Sequence, residues 1–226
     1  MTDRLANWRR IWQNRGRDDE RTPSLETVME IDGFGATDAA AWVAGVERIR
    51  ERLGAQTDDT IFDVGCGAGA FLYPLVHRFG HRVGGIDYSE SLIEIARRAM
   101  PGMPFRIEEA SALDVEERYD IVVAHSTFQY FPSFDYAQTV LRRMLAKSRK
   151  VVAVLDVNDA ERQVEMESIR RGLLPEGEYE RRYRGLDHLY FRRDWFEQFA
   201  RVEIFEQDIP TYDSKGLRFN VMLRPS

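Results

Sequence analysis

The sequence of 226 residues predicts an α/β fold built on a mostly parallel sheet. Short apolar runs alternate with helical patterns of about ten residues or more, which requires right-handed crossover connections. One run, Ile61–Val64, enters a loop with glycines at alternate positions, Gly65, Gly67 and Gly69, and a helical pattern follows from Phe71. The chain is 43% hydrophobic, enough for one sizeable core, and a domain of this size buries roughly 70–75% of its unfolded surface.

The elements follow in order. Residues 4–14 read as a short helix with Trp8 and Trp12 on one face. Arg15–Ser24 is polar and reads as a loop, and Asp32-Gly33-Phe34-Gly35 is turn chemistry. Thr37 is the expected N-cap of a helix through Arg52, with Asp38 in its first turn. Strand Thr60–Val64 leads into the glycine loop and a helix to about Phe79. His81–Ile86 is a second strand ending at Asp87, and Ser89 caps a helix over Glu90–Ala99 that Pro101-Gly102 stops. Phe105–Glu108 and the apolar Asp120–Ala124 are the third and fourth strands. A helix over Asp135–Lys147, a fifth strand over Val151–Asp156 and a helix over Ala160–Arg171 follow. Val202–Asp208 and Arg218–Leu223 are the last two strands. Between them and the fifth strand, Gly172–Arg193 is a polar, aromatic and arginine-rich insertion of the kind that forms a lid.

Composition sets the outer limits. A net charge of -6 disfavours a general nucleic-acid binder. Cys66 is the single cysteine, so no intrachain disulfide forms. No window approaches the roughly 20 apolar residues of a membrane span. The first residues lack the apolar core of a secretory signal, and a cytoplasmic protein is expected.

The glycine loop has two readings. Gly65-Cys66-Gly67-Ala68-Gly69-Ala70 satisfies the G-x-G-x-x-G/A dinucleotide fingerprint, in which glycines bring the main chain close to a ligand at a helix N-terminus. A dinucleotide site has no need of Asp63, two positions before the first glycine, nor of a glycine at Gly69. Asp87 ends the second strand, where a carboxylate can accept from both hydroxyls of a ribose under either reading.

The pattern D-x-G-x-G-x-G at 63–69 resembles that of class I S-adenosylmethionine-dependent methyltransferases. That resemblance implies a Rossmann-like seven-stranded sheet with helices on both faces and the last strand antiparallel. The loop N–H groups would suit the methionine carboxylate, Asp63 the α-amino group and Tyr88 the adenine ring. The segment Glu108–Asp114 resembles the family's adenine-reading motif, with Glu109 standing where an aspartate is usual and Ala110 offering its main-chain N–H. Tyr119–Phe131 resembles the fourth-strand motif, which places His125 and Ser126 between cofactor and substrate and aims Gln129 and Tyr130 at the pocket.

The expected cofactor-binding residues are Asp63, Gly65, Cys66, Gly67, Gly69, Asp87, Tyr88, Glu109, Ala110 and His125. Ser126, Gln129, Tyr130, Asp156, Tyr183 and Tyr190 are expected on the substrate side, and no metal is expected. A hydroxyl acceptor gains from a general base, for which His125 and His188 are the candidates. His77 and His81 flank the second strand's entry and are expected at the surface. The arginines of the lid either face solvent or hold an anionic substrate group.

The expectation is one domain over 1–226, with an N-terminal helical cover over 1–35 and a lid over about 172–193. It would use S-adenosyl-L-methionine, releasing S-adenosyl-L-homocysteine, to methylate a small molecule, a sugar or natural-product intermediate, at oxygen or nitrogen. It would act as a monomer or homodimer, with neither nucleic acid nor membrane as partner. The alternatives are a nicotinamide-dependent oxidoreductase and a non-catalytic module that binds the cofactor.

Overall fold

The strand Thr60–Val64 (β1) lies near the middle of a seven-stranded sheet. A computed structural model describes residues 4–207, 209 and 216–224. β1 is flanked in parallel by Arg82–Asp87 (β2) and Tyr119–His125 (β4). Phe105–Ile107 (β3) extends the sheet beyond β2, and Ser148–Asn158 (β5) extends it beyond β4. Arg201–Glu206 (β6) is the far edge, and Arg218–Arg224 (β7) runs antiparallel between β5 and β6. The order is β3-β2-β1-β4-β5-β7-β6, with the last strand of the chain alone in its direction.

Alternation along the strands builds two cores. Ile61, Ile121, Val123 and Ala153 face one side. There they meet apolar residues of Leu25–Asp32 (α2), Ala39–Leu53 (α3), Leu72–His77 (α4) and Glu90–Ala99 (α5). Phe62, Val64, Val122 and Val154 face the other side, against Val140, Leu141 and Met144 of Phe134–Lys147 (α6). Both faces are covered, so the strands read as unbroken apolar runs. Each buried Val or Leu contributes roughly 1.5–3 kcal/mol, and a one-residue slip would exchange the two faces.

The termini of the helices differ from the expectation at several points. Asp38, not Thr37, caps α3 by accepting from the main-chain N–H of Ala41 at 2.8 Å. Ser89 precedes α5 without a capping bond, because its hydroxyl donates instead to the Trp12 carbonyl of the first helix, Arg4–Asn14 (α1). α2 was not expected at all: Asp32-Gly33 is the C-terminus of a helix, with Gly33 at φ 92°, rather than a free turn. The expected helix over Ala160–Arg171 opens as a 3₁₀ turn, Ala160–Arg162, before Gln163–Gly172 (α7).

β5 starts three residues earlier than its apolar run, at Ser148, whose hydroxyl bonds to the carbonyls of Asp120 and Val151. His81 is 1% exposed, not a surface residue, with Nδ1 facing the Asp59 carbonyl at 3.2 Å, while His77 is exposed. Within 172–193 the chain forms a short helix, Glu178–Arg182 (α8), and returns to the sheet where Leu189 and Phe191 donate to the carbonyls of Gln129 and Asn158. Asp208, the expected end of β6, lies outside the described residues.

Candidate active site

The strand order reverses between β1 and β4, and a crevice opens at their carboxyl ends. There a cavity encloses about 860 Å³ of empty space, its mouth included. β1 delivers Asp63 and the glycine loop, β2 delivers Asp87 and Tyr88, and β4 delivers His125, Ser126 and Thr127. Trp8 and Trp12 of α1 close it from above, with Asp32 and Phe34 from the end of α2.

The loop is shaped by close approaches. Gly65 has φ 81°, and a Cβ there would stand 2.5 Å from the Thr127 methyl, so only glycine fits beside the end of β4. Gly67 has φ 57° and backs onto the Asp32 carboxylate. Trp42 of α3 donates from Nε1 to the Ala70 carbonyl at 2.9 Å and pins the far side of the loop.

The loop N–H groups do not stand ready for a ligand carboxylate, contrary to the sequence reading. Gly65 and Cys66 donate to the Ile86 carbonyl, and Gly67 donates to Asp87 Oδ2 at 3.1 Å. Ala68 and Ala70 donate to Asp32 Oδ1 and Oδ2 at 2.8 and 2.9 Å. Gly69 donates to the Cys66 carbonyl. The physical reason is Asp32: a carboxylate of the chain itself fills the anion site at the start of this turn.

Three acids therefore surround the loop, Asp63 buried and Asp32 and Asp87 half-buried. Burial pushes Asp32 up to about 7, against the bonds from Ala68 and Ala70, with the Asp87 charge adding to the rise. Burial pushes Asp87 up to about 6, opposed by the N–H groups of Ser89 and Gly67. Asp63 is raised well above the usual carboxylate range, again by burial, although the main-chain N–H of His125 opposes it. Asp63 Oδ1 finds no hydrogen-bond partner among the described residues. The Cys66 thiol is likewise pushed up by burial.

The structure brings most of the expected site residues to one wall. Asp63, Gly65, Cys66, Gly67, Asp87, Tyr88, Glu109, Ala110, His125, Ser126 and Tyr130 line the cavity. Glu109 is held by Arg9 of α1 and accepts from the Tyr136 hydroxyl at 3.1 Å. His125 is 8% exposed, stacks on Phe71 at 5.0 Å between centroids, and meets Trp42 and Phe34 edge-on. Burial lowers it to about 4, so the ring is neutral at pH 7.

Other expected residues lie elsewhere. Gly69 faces Met100 behind the loop. Gln129 is fully buried on the 3₁₀ turn Phe128–Tyr130 and donates to Ser126 Oγ at 2.8 Å. Asp156 pairs with Arg218 of β7 in a buried contact, and Arg218 also reaches Ser126 Oγ at 3.3 Å. His188 stands behind Trp8, 4.7 Å between ring centroids, with Arg170 Nη1 3.2 Å from its Nδ1. Tyr190 accepts from the same guanidinium, and Tyr183 packs on Tyr179 at 4.8 Å. Trp8 Nε1 donates to the Asp187 carbonyl at 3.1 Å, tying α1 to the segment that carries His188.

Comparison with known proteins places this geometry. Residues 61–151, from β1 through the first residues of β5, match the family described as a methyltransferase domain. The match takes in the glycine loop, Asp87 and His125 and covers under half of the chain. Among its relatives is a malonyl-[acyl-carrier protein] O-methyltransferase of Bacillus cytotoxicus, 29% identical over 104 residues, 45% of this chain and 36% of that protein. A dTDP-4-amino-2,3,4,6-tetradeoxy-D-glucose N,N-dimethyltransferase of Saccharopolyspora spinosa is 30% identical over 100 residues, 44% of this chain and 39% of that protein. The chain thus spans well under half the length of these curated relatives.

The crystal structure of magnesium protoporphyrin IX methyltransferase from Synechocystis PCC 6803 with bound S-adenosylmethionine superposes with TM-score 0.59 at 14% identity, covering 99% of this chain and 97% of that one. At that identity the likeness is one of fold.

Asp32 is the residue that sequence reading missed. Its signal was Asp-Gly at the end of the apolar pattern Val28, Met29, Ile31, which marks a helix C-terminus as well as a turn.

Proposed function

We propose that this cavity binds S-adenosylmethionine and that the chain methylates a small molecule. The observation that carries the reading is the cluster of Asp32, Asp63 and Asp87 around the loop, with Asp63 Oδ1 buried and lacking a partner. A buried acid such as Asp63 is costly unless a cation or donor completes it. An α-amino group meets that need at Asp63, and ribose hydroxyls meet it at Asp87. Tyr88 and Ala110 would flank the adenine, since Glu109 is already held by Arg9 and Tyr136. With the loop N–H groups taken, the methionine carboxylate falls to Arg15, which lies over the Trp12 ring at 4.6 Å and whose charge acts on Asp32.

When bound, the cofactor supplies an electrophilic methyl on a cationic sulfur. The protein's share is then alignment and dryness. Trp8, Trp12 and Tyr130 shield the end of β4 from water, and Phe71 fixes the His125 ring. The acceptor would be a sugar or natural-product intermediate. The Saccharopolyspora relative, named as an N,N-dimethyltransferase of an amino sugar, supports that class.

Calorimetry with S-adenosylmethionine, S-adenosylhomocysteine and NAD tests the reading. Micromolar binding of the first two is expected. Binding of NAD alone would overturn it.

A further inference from the structure

The wall of the cavity is one-sided in charge. Among the described residues it carries Asp32, Asp63, Asp87, Glu108 and Glu109, and no lysine or arginine. The nearby guanidiniums are already engaged: Arg9 with Glu109, Arg15 with the Ile31 carbonyl, and Arg218 with Asp156 and the Ser126 hydroxyl. The usual anion site at a glycine loop is closed, because Asp32 and Asp87 take its N–H groups. With Arg15 assigned to the methionine carboxylate, and Arg9 and Arg218 paired with acids, a carboxylate or phosphate acceptor would meet an acidic wall with no guanidinium left for it, a costly arrangement.

The end beside β4 is aromatic. Trp8, Trp12, Phe34, Phe71, His125 and Tyr130 supply the surface around the strand terminus. Ring faces attract organic cations, by up to about 2 kcal/mol when water is excluded. A hydroxyl acceptor finds no oriented base there. The His125 ring is wrapped by Phe71, Trp42 and Phe34, and makes no hydrogen bond to a carboxylate among the described residues. His188, the other candidate, stands behind Trp8.

We infer that the methyl acceptor is a small organic amine, held as its ammonium by the aromatic end of the cavity, in a site whose overall charge is negative. This rests on the methyltransferase reading and narrows it. The ammonium first gives one proton to water, and the lone pair of the neutral amine then forms the nitrogen–carbon bond. The carbon–sulfur bond breaks with its electron pair left on sulfur, and one N–H proton then leaves to water. No general base is needed in that sequence, in keeping with a His125 ring that burial holds neutral.

The test compares three probes of one shape on protein saturated with S-adenosylhomocysteine: cyclohexylamine, cyclohexanol and cyclohexanecarboxylate. Affinities are read at pH 7 by saturation-transfer NMR and calorimetry. Cyclohexylamine is expected to bind at least fivefold more tightly than either analogue. Equal affinities, a preference for the alcohol or the carboxylate, or silence from all three would overturn the inference. Failure of the protein to load S-adenosylhomocysteine would instead overturn the proposed function beneath it.

Discussion

Asp32 Oδ1 accepts the main-chain N–H of Ala68 at 2.8 Å, so a helix outside the sheet's own connections holds the glycine loop in place. Asp32 Oδ2 does the same for Ala70 at 2.9 Å. Removing the carboxylate strands two donors in a buried site, at about 1–3 kcal/mol each. Asp32→Ala is therefore expected to lower the thermal midpoint by about 4–24 °C, taking roughly 2–4 °C per kcal/mol for a chain of this size. Asp32→Asn keeps one acceptor and should lose about half as much. An unchanged midpoint for Asp32→Ala would show that the loop holds itself.

The same carboxylate makes stability depend on pH in an unusual direction. Asp32 is raised to about 7 in the fold, and Asp63 is raised well above the usual range, both by burial. A group whose folded pKa is raised binds more protons in the native state than in the unfolded chain. Its contribution is complete below the unfolded value and is lost as pH rises through the folded one. His125, lowered to about 4, acts in the opposite sense, but only between about 4 and its ordinary value of 6.5. The window from pH 6.5 to 8.5 therefore belongs to the acids. The urea midpoint of ligand-free protein should fall across it, by at most about 1.4 kcal/mol per pH unit for each titrating group. Asp32→Asn should flatten the slope. A midpoint that climbs from pH 6.5 to 8.5 would contradict the assignment.

Binding of a cation reverses that trend, because a positive charge in the cavity favours ionised acids. S-adenosylmethionine is expected to expel protons at pH 6.5, where Asp32, at about 7, is still largely protonated. Calorimetry in buffers of different ionisation enthalpy measures the release directly. A substantial fraction of one proton per site is expected, with affinity rising up to about tenfold per pH unit below the acid's pKa. Heats that do not vary with the buffer would rule out coupling between the acids and the ligand.

What could be read from the sequence was local. The continuous runs Ile61–Val64 and Ile121–Ala124 announce strands buried on both faces, and their spacing from the helices requires the parallel order. Asp63 and Asp87 were legible because each stands at the carboxyl end of a strand beside the loop, Asp63 next to last in β1 and Asp87 last in β2. Asp32 was not, because its partners Ala68 and Ala70 lie 36 and 38 residues away and only the packing of α2 brings them together. Gln129 and Tyr130 are neighbours in sequence on one 3₁₀ turn, yet Tyr130 lines the cavity and Gln129 turns into the core. No periodicity separates two adjacent residues on so short an element. His188 was separated from the cavity by Trp8, a contact between the first helix and a segment about 180 residues later, with the Trp8–Asp187 bond spanning 179 positions.

His125 offers the sharpest test of how the site works. Its ring stacks on Phe71 at 11° between planes and sits against Trp42 and Phe34, so a phenyl ring should occupy the same slot. His125→Phe enlarges the ring in a packed slot and is expected to cost about 1–3 kcal/mol while keeping the fold. If the acceptor is an amine, the variant should retain kcat within about fivefold, and its pH profile should follow the amine rather than the protein. A general base at this position is worth typically 10²–10⁴-fold. A loss of that size, with the acidic limb of the pH profile abolished and KM unchanged, would make His125 the base and point to a hydroxyl acceptor instead.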